Sequence, residues 1–198
     1  MTDKIIFLDM DGVLNSETDF LEAATKYDPV HSKLQKGERW KIISAGKLYL
    51  LNQIIKETDA KIVFSSTWRT KCDAKKMTKI FRKYGDIWEH DESVFVGVTP
   101  NWSRGMSISQ EFRGREIMQY LHEHPEIENY IVLDDNNDVR NDTYYKDVEI
   151  PEERFIHTDE YAGITKIDAW AAMTVLGRNE KYQKKHDKEM MWIQAMIC

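Results

Sequence analysis

Cysteine is nearly absent from this 198-residue chain: Cys72 and Cys198 are too few for a disulfide framework, and neither has the spacing of a metal site. Both read as plain thiols. No apolar run approaches the roughly 18 residues that a membrane span needs, and no signal-peptide pattern opens the chain. The expected compartment is the cytoplasm. There is no excess of positive charge either: 28 Lys and Arg stand against 34 Asp and Glu, a net charge of −6. That balance supplies no global attraction for nucleic acid, so any polyanion must be met by a local cluster of Lys and Arg. Internal repeats and low-complexity segments are also missing.

What is present suits one α/β domain with a small insertion. Of the residues, 41% are hydrophobic, 31% charged and 11% aromatic, the make-up of a packed globular chain rather than a disordered one. Residues 1–178 are expected to form the domain, with 15–43 as the insertion and 179–198 as a C-terminal helical tail. The 15–43 segment is polar and carries Asp28-Pro29 and Gly37, with a helical turn or two near 19–26. A connection of that length in a compact domain points to function.

Three short apolar runs rich in β-formers read as buried parallel strands: Ile5-Ile6-Phe7-Leu8, Ile62-Val63-Phe64 and Tyr130-Ile131-Val132-Leu133. Each stops at a polar cluster. The first ends in Asp9-Met10-Asp11-Gly12, the second in Ser65-Ser66-Thr67-Trp68-Arg69, and the third in Asp134-Asp135-Asn136-Asn137-Asp138. Open α/β sheets place their ligands at the carboxyl ends of their strands, so these tips converge on one crevice. Paired carboxylates there repel unless a cation neutralises them. An EF-hand loop starting at Asp9 is excluded, because its glycine belongs at the sixth position and Gly12 is the fourth.

Between the strands, helices are predicted over 44–58, with Ser44 as cap and Leu48, Leu51 and Ile55 on one stripe; over 73–84, stopped by Gly85; and from Arg113 to before Pro125. A further helix, capped by Thr165 and carrying Ile167, Trp170, Ala171 and Val175, is predicted to end at Gly177. Shorter strands are predicted over 93–98 and 154–157, and a loop over 100–109 carries Trp102 and Arg104.

Asp9-Met10-Asp11-Gly12-Val13-Leu14 resembles the first motif of the haloacid dehalogenase (HAD) superfamily of phosphotransferases. Ser65 at the second tip, a basic residue near the start of the Arg113 helix, and Asp134-Asp135 at the third tip follow in that superfamily's order. The set Ser65-Ser66-Thr67-Trp68-Arg69, Arg113-Gly114 and Leu133-Asp134-Asp135 further resembles the HAD domains of nucleic-acid repair proteins, of the polynucleotide kinase-phosphatase type. The resemblance implies a HAD-like Rossmannoid fold, a three-layer sandwich around a mostly parallel sheet with a small or minimal cap, and it makes the 15–43 insertion a flap or small cap. It also implies a Mg²⁺-dependent phosphomonoester hydrolase. Asp9 would be the nucleophile, forming an aspartyl-phosphate, and Asp11 the acid and base. Mg²⁺ would be held by Asp9, the backbone carbonyl of Asp11 and Asp135, with Asp134 assisting and Asp138 acting through water. Ser65, Ser66, Arg69 and Arg113 would bind the substrate phosphate, with Arg115 the second choice for the third motif.

The expected substrate is a phosphorylated nucleotide or a nucleic-acid end. Arg69 and the basic face of Lys71, Lys75, Lys76, Lys79, Arg82 and Lys83 could track phosphates, and Trp68 and Trp102 could stack bases. Each feature has a structural counterpart: an acidic turn, a serine cap, a solvated helix face, core tryptophans. Two alternatives stand beside the main reading, a small-molecule phosphatase acting on nucleoside monophosphates or sugar phosphates, and a non-catalytic HAD-fold binding protein. The presence of both Asp9 and Asp11 weighs against the latter.

Overall fold

A computed structural model describes residues 4–26, 43–102, 112–140 and 150–197. Arg104 and the Asp28-Pro29 and Gly37 part of the expected insertion lie outside the described residues. Five strands form one all-parallel sheet in the order β3-β2-β1-β4-β5: β1 (Lys4–Leu8), β2 (Lys61–Phe64), β3 (Phe95–Val98), β4 (Asn129–Asp134) and β5 (Phe155–His157). The chain winds outward from β1 through β2 to β3 and then returns to the other side of β1 as β4. This reversal opens a crevice between the carboxyl ends of β1 and β4, where Asp9 follows Leu8 and Asp134 is paired beside His157.

The apolar runs are continuous because both faces of the sheet are covered. Ile6, Leu8, Ile62, Phe64, Ile131 and Leu133 face helices α2 (Ala45–Thr58), α3 (Ala74–Phe81) and α5 (Lys166–Leu176). Ile5, Phe7, Val63 and Val132 face α4 (Arg113–Glu123) through Ile117 and Tyr120. Phe7 packs edge-on against Tyr120 and Tyr130, with ring centroids 5.7 and 5.8 Å away. Burying side chains of this size contributes about 1.5–3 kcal/mol each, and the result is the expected three-layer sandwich. Gly97 interrupts β3 for a steric reason: a Cβ there would lie 2.2 Å from the Tyr120 hydroxyl.

Two expectations need correction. The helix predicted over 73–84 stops at Phe81 and continues as a 3₁₀ segment, Arg82–Ile87, in which Gly85 adopts φ 63°. Ser44 does precede α2, but its side chain makes no capping bond. Ile167 and Trp170 of α5 face outward, 78% and 52% exposed, while Ala169, Ala172 and Leu176 form the buried face. Small residues there let α5 lie close against α2. Thr165 and Asp168 close a reciprocal capping box on α5. The tail forms α6 (Glu180–Ile197), tied at its start to the end of α2 by the Arg178–Glu57 pair and the Asn179 N–H donating to the Glu57 carbonyl. No helix among the described residues is long and apolar enough to cross a membrane.

Candidate active site

The turn after β1 is built to aim its acids. The carbonyl of Met10 accepts from the N–H groups of Val13, Leu14 and Asn15, and Gly12 sits at φ 74°. A Cβ at Gly12 would lie 2.2 Å from the Asp135 side chain, so the absence of a side chain is what lets the two strand tips meet. Thr158 donates from its hydroxyl to the Gly12 carbonyl and the Ile164 N–H donates to the Val13 carbonyl, which fixes this turn to the loop after β5.

Asp9 is buried; its Oδ1 accepts from the Met10 N–H at 2.7 Å and its Oδ2 from Arg113. The same Arg113 Nη1 donates to Asp134 Oδ2 at 2.7 Å, and Asp134 Oδ1 accepts from the Asn136 N–H at 2.9 Å. Asp9, Asp134 and Asp135 each offer a carboxylate oxygen, and these atoms lie within 4.8 Å of one another. Burial lowers the pKa of Arg113, but the Asp9 and Asp134 carboxylates outweigh it and hold the guanidinium more firmly charged than usual. Burial pushes Asp134 well above the ordinary carboxylate range, against the pull of Arg113. Asp135 is pushed up to about 6, by burial first and then by the charge of Asp9. Three crowded carboxylates facing one arginine are short of positive charge, which is the condition of an oxygen-ligand cation site.

Asp11 stands apart from that cluster. Its Oδ1 accepts from Asn15 Nδ2 at 2.9 Å and its Oδ2 from the Trp68 indole at 3.0 Å. Asp9, Asp11, Gly12, Thr67, Arg113 and Asp135 line a pocket of about 120 Å³ together with Ser16, Glu17, Phe20 and Glu160. Helix α1 (Glu17–Lys26), longer than the turn or two predicted, carries part of this lining. Its start is pinned where Lys47 reaches Ser16 and Asp19, and where the Glu17 N–H donates to the Glu160 carbonyl.

The serine and arginine cluster after β2 divides in ways its sequence does not reveal. The Ser65 hydroxyl is buried with no hydrogen-bond partner in the structure. Ser66 is turned away and accepts from the Trp68 N–H, capping the 3₁₀ turn Thr67–Thr70. Arg69, expected at the phosphate, instead pairs with buried Glu116 and donates to the carbonyls of Ser66 and Pro100. Burial lowers its pKa. Trp68, expected as a stacking ring, points its N–H at Asp11. Trp102 is 42% exposed and has Arg115 over its ring at 5.1 Å, so Arg115 stands with Trp102 while Arg113 enters the site. Asp138 is exposed and outside the carboxylate cluster. Thr67, Glu17, Phe20 and Glu160 were missed as pocket residues; Thr67 alone had a signal, its place in the serine cluster.

The sequence profile of the HAD domain in Swiss Army Knife RNA repair proteins matches residues 5–169. The chain belongs to this family. No curated protein and no solved structure matches it. The match agrees with the all-parallel sheet and helical layers, and it sets this RNA-repair type HAD domain in a superfamily of phosphatases and related hydrolases. HAD proteins generally use Mg²⁺, and the trio Asp9, Asp134 and Asp135 has the donor set to hold such an ion.

Proposed function

We propose that this HAD domain is a Mg²⁺-dependent phosphomonoester hydrolase acting on nucleotide or polynucleotide-end phosphates through an aspartyl-phosphate on Asp9. The observation that carries the reading is the grouping of Asp9, Arg113 and Asp135 in the pocket lining, with buried Asp134 bonded to Arg113 and Asp11 held separately beside them.

A phosphate monoester is an anion, and a carboxylate attacks it only where positive charge is already in place. Arg113 supplies one such charge. Mg²⁺, held by Asp9, Asp135 and the Asp11 backbone carbonyl with Asp134 assisting, would supply the rest by neutralising phosphoryl oxygens. An oxygen of Asp9 attacks phosphorus, the ester P–O bond breaks, and Asp11 gives its proton to the departing alkoxide. Asp11 then takes a proton from water, whose oxygen attacks the same phosphorus, releasing inorganic phosphate and restoring Asp9. The partnerless Ser65 hydroxyl donates to a phosphoryl oxygen in this scheme, and Thr67 at the pocket wall takes the place expected of Ser66. Arg69 has no part in it.

The test is a phosphate-release screen over nucleoside monophosphates, sugar phosphates and 3′- or 5′-phosphorylated oligonucleotides, with Mg²⁺ and with a chelator. Release from a nucleotide or oligonucleotide only with Mg²⁺ is expected; no release from any ester leaves a binding protein. A small-molecule substrate is the second reading, favoured by Glu17 and Glu160 in the pocket lining and by the internal pairing of Arg69, which leave little positive charge for neighbouring phosphates. Comparing kcat/KM for an oligonucleotide and its mononucleotide at two salt concentrations separates the two. A polynucleotide enzyme prefers the oligomer and loses that preference as salt rises.

A further inference from the structure

We propose that Trp68 is a positioning residue for Asp11: its indole N–H fixes the carboxylate that exchanges a proton with the leaving group and with water. The proposal rests on the phosphatase reading above. Trp68 Nε1 lies 3.0 Å from Asp11 Oδ2, and Asn15 Nδ2 lies 2.9 Å from Oδ1. Each oxygen therefore accepts one bond from the protein and keeps a lone pair for the substrate. With a donor on both oxygens the carboxylate plane is set, whereas a single donor would leave it free to rotate.

The arm that carries the indole is rigid. Ser66 Oγ accepts from the Trp68 N–H, and the Trp68 carbonyl accepts from the N–H groups of Lys71 and Cys72. The ring packs against the larger hydrophobic core. Arg69, bonded to the Ser66 and Pro100 carbonyls and paired with Glu116, clamps the next residue. The bond thus ties the loop after β2 to the loop after β1, across 57 residues of chain.

The choice of donor also suits the task. An indole N–H donates, has no lone pair to accept a proton, and does not titrate. It can orient a proton-transferring acid without competing for the proton, which a histidine in its place would do. Trp88 shows that this chain does not need a partner for every buried indole, since its Nε1 has none. Packing alone does not account for the bond from Trp68 to Asp11.

The decisive variant is Trp68→Phe, which keeps a ring and removes the donor. General acid catalysis is worth about 10²–10⁴-fold when the leaving group is poor and little when it is good. Trp68→Phe should therefore lower kcat/KM for an alkyl phosphate monoester by about tenfold or more and for p-nitrophenyl phosphate by less than about threefold. In an Asp11→Asn background the same substitution should add no further loss. Equal losses on the two esters, no loss on either, or full additivity with Asp11→Asn would overturn the proposal. A readout independent of turnover, and of whether Trp68→Phe folds, is the indole ¹H–¹⁵N signal of Trp68 in the full chain, which should shift in Asp11→Asn. An unmoved signal overturns the proposal even in an active enzyme. A shifted signal in a chain that hydrolyses no ester would uphold the contact and remove the phosphatase reading.

Discussion

Two arginines, Arg69 after β2 and Arg113 at the start of α4, have little exposed side chain, and both were expected to bind phosphate. Arg113 faces two carboxylates that belong to the site, Asp9 and Asp134, and they hold it charged against the cost of burial. Arg69 faces one carboxylate, Glu116, which lies outside the pocket, and its terminal nitrogens are occupied by that acid and two backbone carbonyls. Burial weakens its hold on the proton. Nearness to a phosphate motif in sequence does not make an arginine a phosphate ligand; the partners that surround it decide. Arg113 is part of the proposed chemistry, and Arg69 braces the loop that presents Trp68.

The sharpest way to break this comparison is to remove each cation separately. Arg113→Met is expected to cut phosphate release by about 10²–10³, the usual cost of losing one preorganised charge stabiliser. Arg69→Met leaves Glu116 buried without its partner and should destabilise the fold by about 3–5 kcal/mol, read as a fall in melting temperature. Pairing it with Glu116→Leu should restore most of that stability, since removing both charges is far cheaper than stranding one. An Arg69→Met protein that melts like the wild type but no longer hydrolyses esters would reverse the two roles.

A smaller effect separates the carboxylates. Mg²⁺ should raise the melting temperature of the wild type, by the equivalent of about 2.7 kcal/mol at a hundred times its dissociation constant. Asp135→Ala should remove the response. A Mg²⁺ shift that survives the substitution moves the cation away from the Asp9, Asp134 and Asp135 cluster.

The smallest effect concerns pH in the presence of a chelator. Asp135 is held up to about 6, and Asp134 is also raised. Between about pH 4 and 6 the unfolded chain has released protons that the folded chain still binds, because an unfolded Asp titrates near 3.9. Folding stability from these groups is therefore greatest at the acid end of that window and declines as pH rises through it. The decline should be shallower in Asp135→Asn, and Mg²⁺ should offset it in the wild type by taking the place of the proton. A stability curve that rises across this window equally in both proteins contradicts the assigned direction.

Much of the frame was legible in the residues. Ile5 to Leu8, Ile62 to Phe64 and Ile131 to Leu133 are buried on both faces of a parallel sheet, so they appear as unbroken apolar runs, and an abrupt polar stop marks each carboxyl end. The meeting of Asp9, Asp134, Asp135 and Arg113 follows from parallel pairing, which brings all the strand tips to one edge. The partners of Trp68 and Arg69 did not follow, because each side chain finds its partner across 57 or 47 residues and no local period records that. The buried face of helix α5 was hidden for a related reason. Ile167 and Trp170 stand out by hydrophobicity, but close approach to α2 selects Ala169 and Ala172 for the buried face. Glu160, in the loop after β5, is held at the pocket by hydrogen bonds between that loop and residues 12–18, a pairing without any sequence signature.

The central claim is a covalent bond to Asp9, and it is open to direct measurement. The chain is mixed with Mg²⁺ and an aryl phosphate, quenched in acid during turnover, digested and weighed. The account predicts that the peptide containing Asp9 gains the mass of one phosphoryl group and that the adduct is absent in Asp9→Asn, whose turnover falls by several orders of magnitude. An unmodified Asp9 peptide in an Asp9→Asn-sensitive enzyme would contradict the covalent step. Asp9→Asn retaining more than about a tenth of wild-type turnover, a loss of only ~1.4 kcal/mol, would contradict the nucleophile itself.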